Sequence, residues 1–233
     1  MTSAESFVGR PYWEDRYAGP DLVWSGNPNP VLVDETVSLT PGRALDIGSG
    51  EGGDALWLAR QGWQVTGVDI AQNALDKARG RIESIDAEAA SRITWEQHDI
   101  TEWTPEPSSV DLVSSQFMHL PEPARTALFR ALAAALRPGG TLLIVAHDLS
   151  GVDTTVFPDR PQGLDYGVDD VLASLDGTGL EIVTAEVRPR PAAAHTAPAD
   201  EHGHGDAHGD AAAPPHHLAD IVVRATRPEA RVG

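Results

Sequence analysis

Three glycines separate an apolar run from a helical run in the first third of the chain. Gly48, Gly50 and Gly53 follow the apolar segment 43–47, and segment 54–61 repeats its apolar residues at helical spacing. Glycines between a strand and a helix let the backbone approach a nucleotide-like ligand, because a side chain there would occupy the ligand's volume. The loop therefore predicts a nucleotide-type site at the carboxyl end of a strand.

Carboxylates follow two further strand-like runs. Asp69 closes the run 64–68, at a position where a carboxylate can accept hydrogen bonds from the hydroxyls of a ribose. Asp99 and Ile100 follow the run 93–97 and offer a second carboxylate with an apolar neighbour. Because parallel strands end at one edge of a sheet, we expect these residues to lie beside the glycine loop.

The glycine spacing by itself also fits a dinucleotide site. Three acids, Asp46, Glu51 and Asp54, surround the loop and would repel a pyrophosphate. They would attract a cationic ligand instead, and S-adenosylmethionine carries both a sulfonium and an ammonium group. The acids thus favour S-adenosylmethionine, and a nicotinamide dinucleotide is the alternative.

Strand-like and helix-like segments alternate around these residues. The strand-like runs are 43–47, 64–68, 93–97, 110–114 and 141–146. Helices are predicted over 54–61, 71–90 and 122–136, the last one stopped by Pro138-Gly139-Gly140. A helix over 168–175 and two β-like runs, 180–187 and 218–225, follow. The alternation predicts an α/β fold with a mostly parallel sheet covered by helices.

Composition and charge exclude several classes of protein. The 233 residues include 17 basic and 35 acidic side chains, for a net charge of −18, and such a surface repels nucleic-acid phosphates. The chain has no cysteine, which excludes disulfides and a cysteine nucleophile. We find no apolar run of membrane-spanning length and no secretory-signal pattern. The expected compartment is therefore the cytoplasm and the expected partner a small molecule, and the oligomeric state is left open.

Five segments between residues 42 and 148 resemble class I S-adenosylmethionine-dependent methyltransferases, in that family's order. They are Leu45–Gly53, Val65–Ile70, Gln97–Ile100, Phe117–Leu120 and Leu136–Gly140. The resemblance implies a Rossmann-like, doubly wound sheet of seven strands, mostly parallel, with a C-terminal antiparallel hairpin. The two runs after residue 180 would supply that hairpin.

The resemblance also implies a set of cofactor-binding residues. It places the glycine loop at the methionine moiety, Asp69 at the ribose, and Asp99 with Ile100 at the adenine. The candidate cofactor-binding residues are Trp24, Asp46, Gly48, Gly50, Asp69, Ile70, Asp99, Ile100 and Gln116.

The N-terminal segment is rich in aromatic residues. Residues 12–17 together with Trp24 look like the lid of the branch that contains thiopurine and tellurite-resistance methyltransferases, which implies a small-molecule acceptor. Aromatic side chains that only cover apolar surface are the alternative. We predict one methyltransferase domain over residues 1–233. In it, 1–41 forms a cap, 42–191 and 216–228 form the sheet core, and 192–215 forms a flexible insertion.

Two histidines are candidate catalytic residues. His119 follows the fourth strand, where the resembled family presents residues to its substrate, and a packed histidine is the alternative. His195 follows the run 180–187, in a stretch with Arg188 and Arg190. That run should lie parallel to the earlier strands, so the loop after it starts at the ligand-binding edge.

The stretch 190–217 consists mostly of Ala, Pro, Gly, Asp and His. Its composition predicts a flexible segment. Imidazole and carboxylate groups together suit zinc, nickel or copper, so His202, His204 and His208 are candidate ligands of a divalent metal ion. A low-complexity insertion that binds no metal is the alternative.

These features predict the transfer of a methyl group from S-adenosylmethionine to a small-molecule acceptor by in-line displacement. A general base is needed only where the acceptor is a protonated oxygen or nitrogen. The alternatives are a nicotinamide-dependent oxidoreductase and a metal-binding protein that uses the histidine-rich loop on a methyltransferase fold.

Overall fold

The computed structural model describes residues 9–149, 164–190 and 219–229. The predicted insertion 192–215, with His195, His202, His204 and His208, lies outside the described residues. No helix within the described ranges is both long and apolar enough to cross a bilayer.

Between residues 43 and 147 strands and helices mostly alternate, as the sequence predicts, and the two helices before residue 43 were not predicted. The bounds of the described helices and strands are α1 (Arg10–Arg16), α2 (Pro30–Thr36), β1 (Arg43–Ile47), α3 (Gly53–Arg60), β2 (Gln64–Asp69), α4 (Gln72–Ile85), α5 (Ala87–Ala90), β3 (Ile93–Gln97), β4 (Val110–Gln116), α6 (Ala124–Ala135), β5 (Leu136–His147), α7 (Val168–Leu175), β6 (Glu181–Pro189) and β7 (Ala219–Thr226).

One sheet of seven strands joins these elements in the order β3-β2-β1-β4-β5-β7-β6. The five strands β1 to β5 are parallel, and β7 is antiparallel to both β5 and β6. The predicted mostly parallel sheet with a C-terminal antiparallel hairpin is confirmed. Since β7 reverses direction, β6 runs the same way as β5, and both end at the edge where β1 ends.

Helices cover the sheet on both faces, which is why the central strands are almost continuously apolar. On β5, Leu142, Ile144 and Ala146 pack against α6 and α7, whereas Leu143 and Val145 face α2 and α3. The alternation of side chains along a strand therefore divides the core into two layers.

The helix predicted over 71–90 is interrupted at Asp86. This residue has φ −158° and ψ 79°, and its carboxylate accepts a hydrogen bond from the N–H of Ala89 at 3.0 Å. Arg60 contacts the same carboxylate at 2.8 Å. The chain therefore forms α4 and a short α5, because an aspartate at a helix start satisfies N–H groups that have no helical partner.

The glycines predicted to separate a helix from the fifth strand lie within β5 instead. Val110 pairs with Leu136, and the next paired residues are Leu112 and Thr141, so residues 137–140 bulge out of the ladder. Gly139 has φ +80°, a conformation that favours glycine. The predicted stop is thus a bulge in a longer strand.

Candidate functional site

The loop between β1 and α3 adopts a conformation that requires glycine. Gly48, Gly50 and Gly52 have φ values of +70°, +50° and +77°. The N–H groups of Gly48 and Ser49 both donate to the carbonyl of Val68, at 2.8 and 3.0 Å. A Cβ on Gly48 would lie 2.5 Å from the methyl carbon of Met118. The loop is therefore bound to β2, and the side chain of Met118 leaves no room for a Cβ at Gly48.

Asp69 lies directly beside this loop. Its Oδ2 accepts a hydrogen bond of 2.9 Å from the N–H of Gly50, and its Oδ1 accepts one of 2.9 Å from the N–H of Ala71. Burial raises the pKa of Asp69, and these backbone hydrogen bonds act in the opposite direction. Each carboxylate oxygen keeps a further lone pair. Asp69 can thus hold the loop and bind hydroxyl groups at the same time.

Asp46 stands close to both Asp69 and Asp54. Asp46 is buried, and its Oδ2 accepts no hydrogen bond from the residues that the structure describes. Burial raises the pKa of Asp46, and the charges of Asp54 and Asp69 raise it further. Burial also raises the pKa of Asp54 to about 6, although the N–H of Asn29 donates to its Oδ1 at 2.6 Å. Such a group of carboxylates attracts a cation.

Glu51 holds the N-terminal segment against the loop. It is one of the three acids predicted to repel a pyrophosphate, and its carboxylate also accepts hydrogen bonds of 3.0 Å from the N–H groups of Val23 and Trp24. Lys77 contacts the carboxylate at 3.4 Å. Glu51 is only 2% exposed. Its contacts fasten the N-terminal segment to the glycine loop.

Tyr17 and Trp24 lie over the loop. The indole N–H of Trp24 donates to the hydroxyl of Tyr17 at 2.8 Å, and this hydroxyl is 3.2 Å from the position of a Cβ on Gly50. Burial raises the pKa of Tyr17, so its phenol stays protonated. Trp24 is 49% exposed, and Arg16 lies 5.1 Å from its ring centre. Trp24 was a candidate cofactor-binding residue, whereas Tyr17 was predicted only as part of the aromatic lid segment 12–17.

Asp99, one of the two residues predicted at the adenine, follows β3, which is the neighbour of β2. Asp69 and Gln97 are register partners, so the residues after β2 and β3 are neighbours. The side-chain amide of Gln97 donates to the carbonyl of Ile70 at 3.0 Å. Oδ1 of Asp99 accepts hydrogen bonds from the N–H and the hydroxyl of Thr101, at 2.9 and 2.6 Å, and so shapes the turn after β3.

Ile100 and Gln116 occupy different surroundings. Ile100 is partly buried against the core layer that contains α6 and α7. Gln116 ends β4, and its amide oxygen accepts a hydrogen bond of 2.8 Å from the side chain of Asn29. Asn29 also caps α2. Gln116 therefore links the end of β4 to the N-terminal segment.

Aromatic rings follow the ends of β4 and β5. Phe117 and His147 stack with their ring centres 4.3 Å apart, and His119 stacks on His147 at 5.5 Å. Nδ1 of His119 lies 3.4 Å from the carbonyl oxygen of Leu164. The structure thus places the catalytic candidate His119 next to His147, which follows the fifth strand.

Arg188 and Arg190, at the end of β6, have different partners. Arg188 contacts Glu35 of α2 at 2.6 Å, away from the loop after β5. Arg190 contacts Asp220 at 2.9 Å, and its guanidinium lies 4.9 Å from the ring centre of Phe117. Only Arg190 therefore belongs to the group of rings after β4 and β5.

The metal prediction falls outside the described residues. It rests on His202, His204 and His208, which the structure does not describe. Among residues 9–149, 164–190 and 219–229, no group of three or more His, Asp or Glu side chains is arranged to hold a metal ion.

The fold and the site define a class of protein. A sheet with this strand order, a glycine loop after its first strand and a buried carboxylate after its second is typical of Rossmann-like proteins that bind nucleotide-type cofactors. A family model described as a methyltransferase domain matches residues 44–140. This match, the fold and the similar proteins support a class I S-adenosylmethionine-dependent methyltransferase.

Similar proteins support this assignment. The methyltransferase GfsG of Streptomyces halstedii is 28% identical over 196 residues, which are 76% of this chain and 69% of GfsG. A ubiquinone biosynthesis O-methyltransferase of Xanthomonas campestris pv. campestris is 35% identical over 122 residues, 50% of this chain and 48% of that protein.

One solved structure is similar to this chain in both fold and sequence. Phosphoethanolamine N-methyltransferase 2 of Haemonchus contortus, in complex with S-adenosylmethionine, has a TM-score of 0.60 and 27% identity, over 81% of this chain and 46% of that one. The chain thus spans about half the length of the Xanthomonas and Haemonchus proteins. The narrower resemblance to the thiopurine and tellurite-resistance branch stays a prediction.

Proposed function

We propose that the chain transfers a methyl group from S-adenosylmethionine to a small-molecule acceptor, held between segment 9–29 and the carboxyl ends of β1, β4 and β5. The observation that carries the proposal is the buried carboxylate of Asp46, which has an oxygen without a hydrogen-bond partner among the described residues. A buried charge of this kind calls for a cationic or hydrogen-bonding group. The ammonium group of S-adenosylmethionine provides one.

The surrounding residues fit the rest of that cofactor. Asp69 would bind the ribose hydroxyls, and the bare backbone of Gly48 and Gly50 would lie along the methionine moiety. Ile70, Asp99 and Ile100 would surround the adenine, while Trp24 and Gln116 would lie nearer the methionine end. When bound, S-adenosylmethionine supplies a methyl carbon activated by its sulfonium.

The chain's own contribution is orientation and the exclusion of water. Holding two reacting groups in line supplies about 7–11 kcal/mol of a barrier in favourable cases. Segment 9–29 closes one side of the site, because Glu51 binds its backbone and Tyr17 lies over Gly50. His119, after β4, would contact the acceptor. His195 stays a second catalytic candidate.

A small acceptor is supported by charge and by the relatives. A net charge of −18 disfavours nucleic acid as a substrate. The relatives are named for ubiquinone biosynthesis and for phosphoethanolamine, both of which concern small molecules. Their names include an O- and an N-methyltransferase, so they leave the acceptor atom open.

Calorimetric titration of the full chain tests the cofactor. We expect S-adenosylhomocysteine to bind at one site and NADH not to bind. Asp46→Asn should weaken binding, since it removes the charge that would meet the ammonium group. Asp76→Asn, on the exposed side of α4, is the matched control. Binding of NADH without binding of S-adenosylhomocysteine would support the oxidoreductase alternative instead.

Composition alone supports a second role, metal binding by His202, His204 and His208. Titration of the full chain with Zn²⁺ or Ni²⁺, against a variant lacking residues 192–215, tests it. Equal uptake by both proteins would contradict this role.

A further inference from the structure

Three aspartates beside the glycine loop differ in how many hydrogen bonds their carboxylates accept. Both oxygens of Asp69 accept a backbone N–H. Oδ1 of Asp54 accepts one, from Asn29 at 2.6 Å. Oδ2 of Asp46 accepts none from the residues that the structure describes, and this side chain is only 2% exposed. Negative charge is therefore compensated least at Asp46 and Asp54.

The basic side chains that reach this loop are bound elsewhere. Lys77 and Arg81, both on α4, contact the carboxylate and the carbonyl oxygen of Glu51, at 3.4 and 3.0 Å. The register partner of Asp46 on β4 is the uncharged Ser114. The other titratable groups that face the three aspartates in the described chain are Glu14, Tyr17 and Glu51. None of these three carries a positive charge, so they do not offset the acids.

Two carboxylates with so little compensation resist being ionised together. Burial raises the pKa of Asp46, and the charges of Asp54 and Asp69 raise it further. Burial also raises the pKa of Asp54 to about 6. Asp54 lies in the first turn of α3, where a helix favours negative charge. Of the two, Asp46 is therefore the one that holds a proton more firmly.

We propose that Asp46 and Asp54 share one proton in the ligand-free chain, and that the ammonium group of S-adenosylmethionine expels this proton when it binds. This proposal rests on the proposed function, which sets the ammonium group at Asp46. A cation there stabilises the ionised carboxylates, so the bound chain holds the proton less tightly than the free chain does. The proton passes to the buffer, and no covalent bond of the cofactor changes.

The expulsion makes cofactor affinity depend on pH. Below the pKa of the free pair, binding must remove a proton, and this weakens it. With a value of about 6 for the free chain, we expect the affinity to be about 10-fold higher at pH 7 than at pH 5. Above pH 7 the affinity should level off, because the proton has already left.

Calorimetry of the full chain with S-adenosylhomocysteine counts the protons. This ligand carries the ammonium group and no sulfonium, so it isolates the effect of the ammonium. Titrations at pH 6 in buffers of different ionisation enthalpy should report the release of roughly half a proton per ligand bound, and almost none at pH 8. The infrared carbonyl band of a protonated carboxylic acid should weaken when the ligand binds at pH 6.

Asp54→Asn tests whether the proton belongs to this pair. The variant keeps the charge of Asp46 for the ammonium group and removes the second carboxylate, so Asp46 no longer needs a proton. We expect little proton release at pH 6 and nearly equal affinities at pH 5 and pH 7. Asp76→Asn is the matched control, because the side chain of Asp76 is 58% exposed on α4. It should release as many protons as the wild type.

Two outcomes would overturn the proposal while leaving the proposed function in place. One is binding of S-adenosylhomocysteine to the wild type at pH 6 without proton release. The other is equal release by the wild type and Asp54→Asn, which would assign the proton to another group, such as a histidine. Failure of the wild type to bind S-adenosylhomocysteine at any of these pH values would instead overturn the proposed function, and this proposal with it.

Discussion

The backbone N–H of Gly50 donates a hydrogen bond of 2.9 Å to the carboxylate of Asp69, which joins the glycine loop after β1 to the end of β2. A single carboxylate thus fixes the loop and faces the proposed ribose position. The two halves of the proposed cofactor site are therefore coupled, and a change at Asp69 should affect both.

Asp69→Ala should weaken the binding of S-adenosylhomocysteine by about 1.5–3 kcal/mol, since hydrogen bonds to a charged group are lost. That loss corresponds to a rise in Kd of roughly 10- to 100-fold, measurable by calorimetry. Asp76→Ala, an exposed aspartate on α4, is the control and should bind normally. An unchanged Kd in folded Asp69→Ala protein would remove Asp69 from the site.

Gly48→Val should abolish cofactor binding. The new side chain starts 2.5 Å from the methyl carbon of Met118, at a φ of +70° that a β-branched residue adopts only with strain. Gly80→Ala is the control, because a Cβ there has no atom within 4 Å and the position is inside α4. This control should gain about 0.5–1 kcal/mol of stability. Normal binding by folded Gly48→Val protein would show that the cofactor lies elsewhere.

Glu51→Ala should release the N-terminal segment. The N–H groups of Val23 and Trp24 lose their acceptor, at a cost of about 1–3 kcal/mol in the free energy of unfolding. Urea unfolding measures the loss, and the fluorescence of the chain should report a changed environment of Trp24. Glu88→Ala, whose side chain is 81% exposed, should change neither reading. Equal stability of the two variants would contradict the anchoring role.

Asp54 should make stability depend on pH. Burial raises its pKa from 3.8 to about 6, so the folded chain binds this proton more tightly than the unfolded chain does. The stabilisation that the folded chain gains from this proton is therefore fully present below about pH 4 and is lost as the pH rises through about 6. Asp54→Asn should match the wild type near pH 4 and exceed it by roughly 1–3 kcal/mol at pH 7. Urea unfolding at the two pH values measures this, and a constant difference would contradict the shifted pKa.

Local sequence patterns were sufficient for most of the fold. The runs 43–47, 93–97 and 168–175 form elements with the predicted bounds, because apolar periodicity and flanking glycines act over a few residues. Two of the departures have local causes. Asp86 caps a new helix within the predicted one, and the Pro-Gly-Gly segment is taken up as a bulge in β5.

Sequence by itself determined the glycine loop and the carboxylate at Asp69, because strand ends and glycines can be recognised from neighbouring residues. Only the tertiary structure showed that Glu51, unlike Asp46, holds the N-terminal segment, since the partner of Glu51 is the distant backbone of Val23 and Trp24. It likewise placed Arg190 beside Asp220 and separated it from Arg188. Such contacts depend on strand order and register, where a shift of one residue turns every side chain to the opposite face, and no local pattern encodes them.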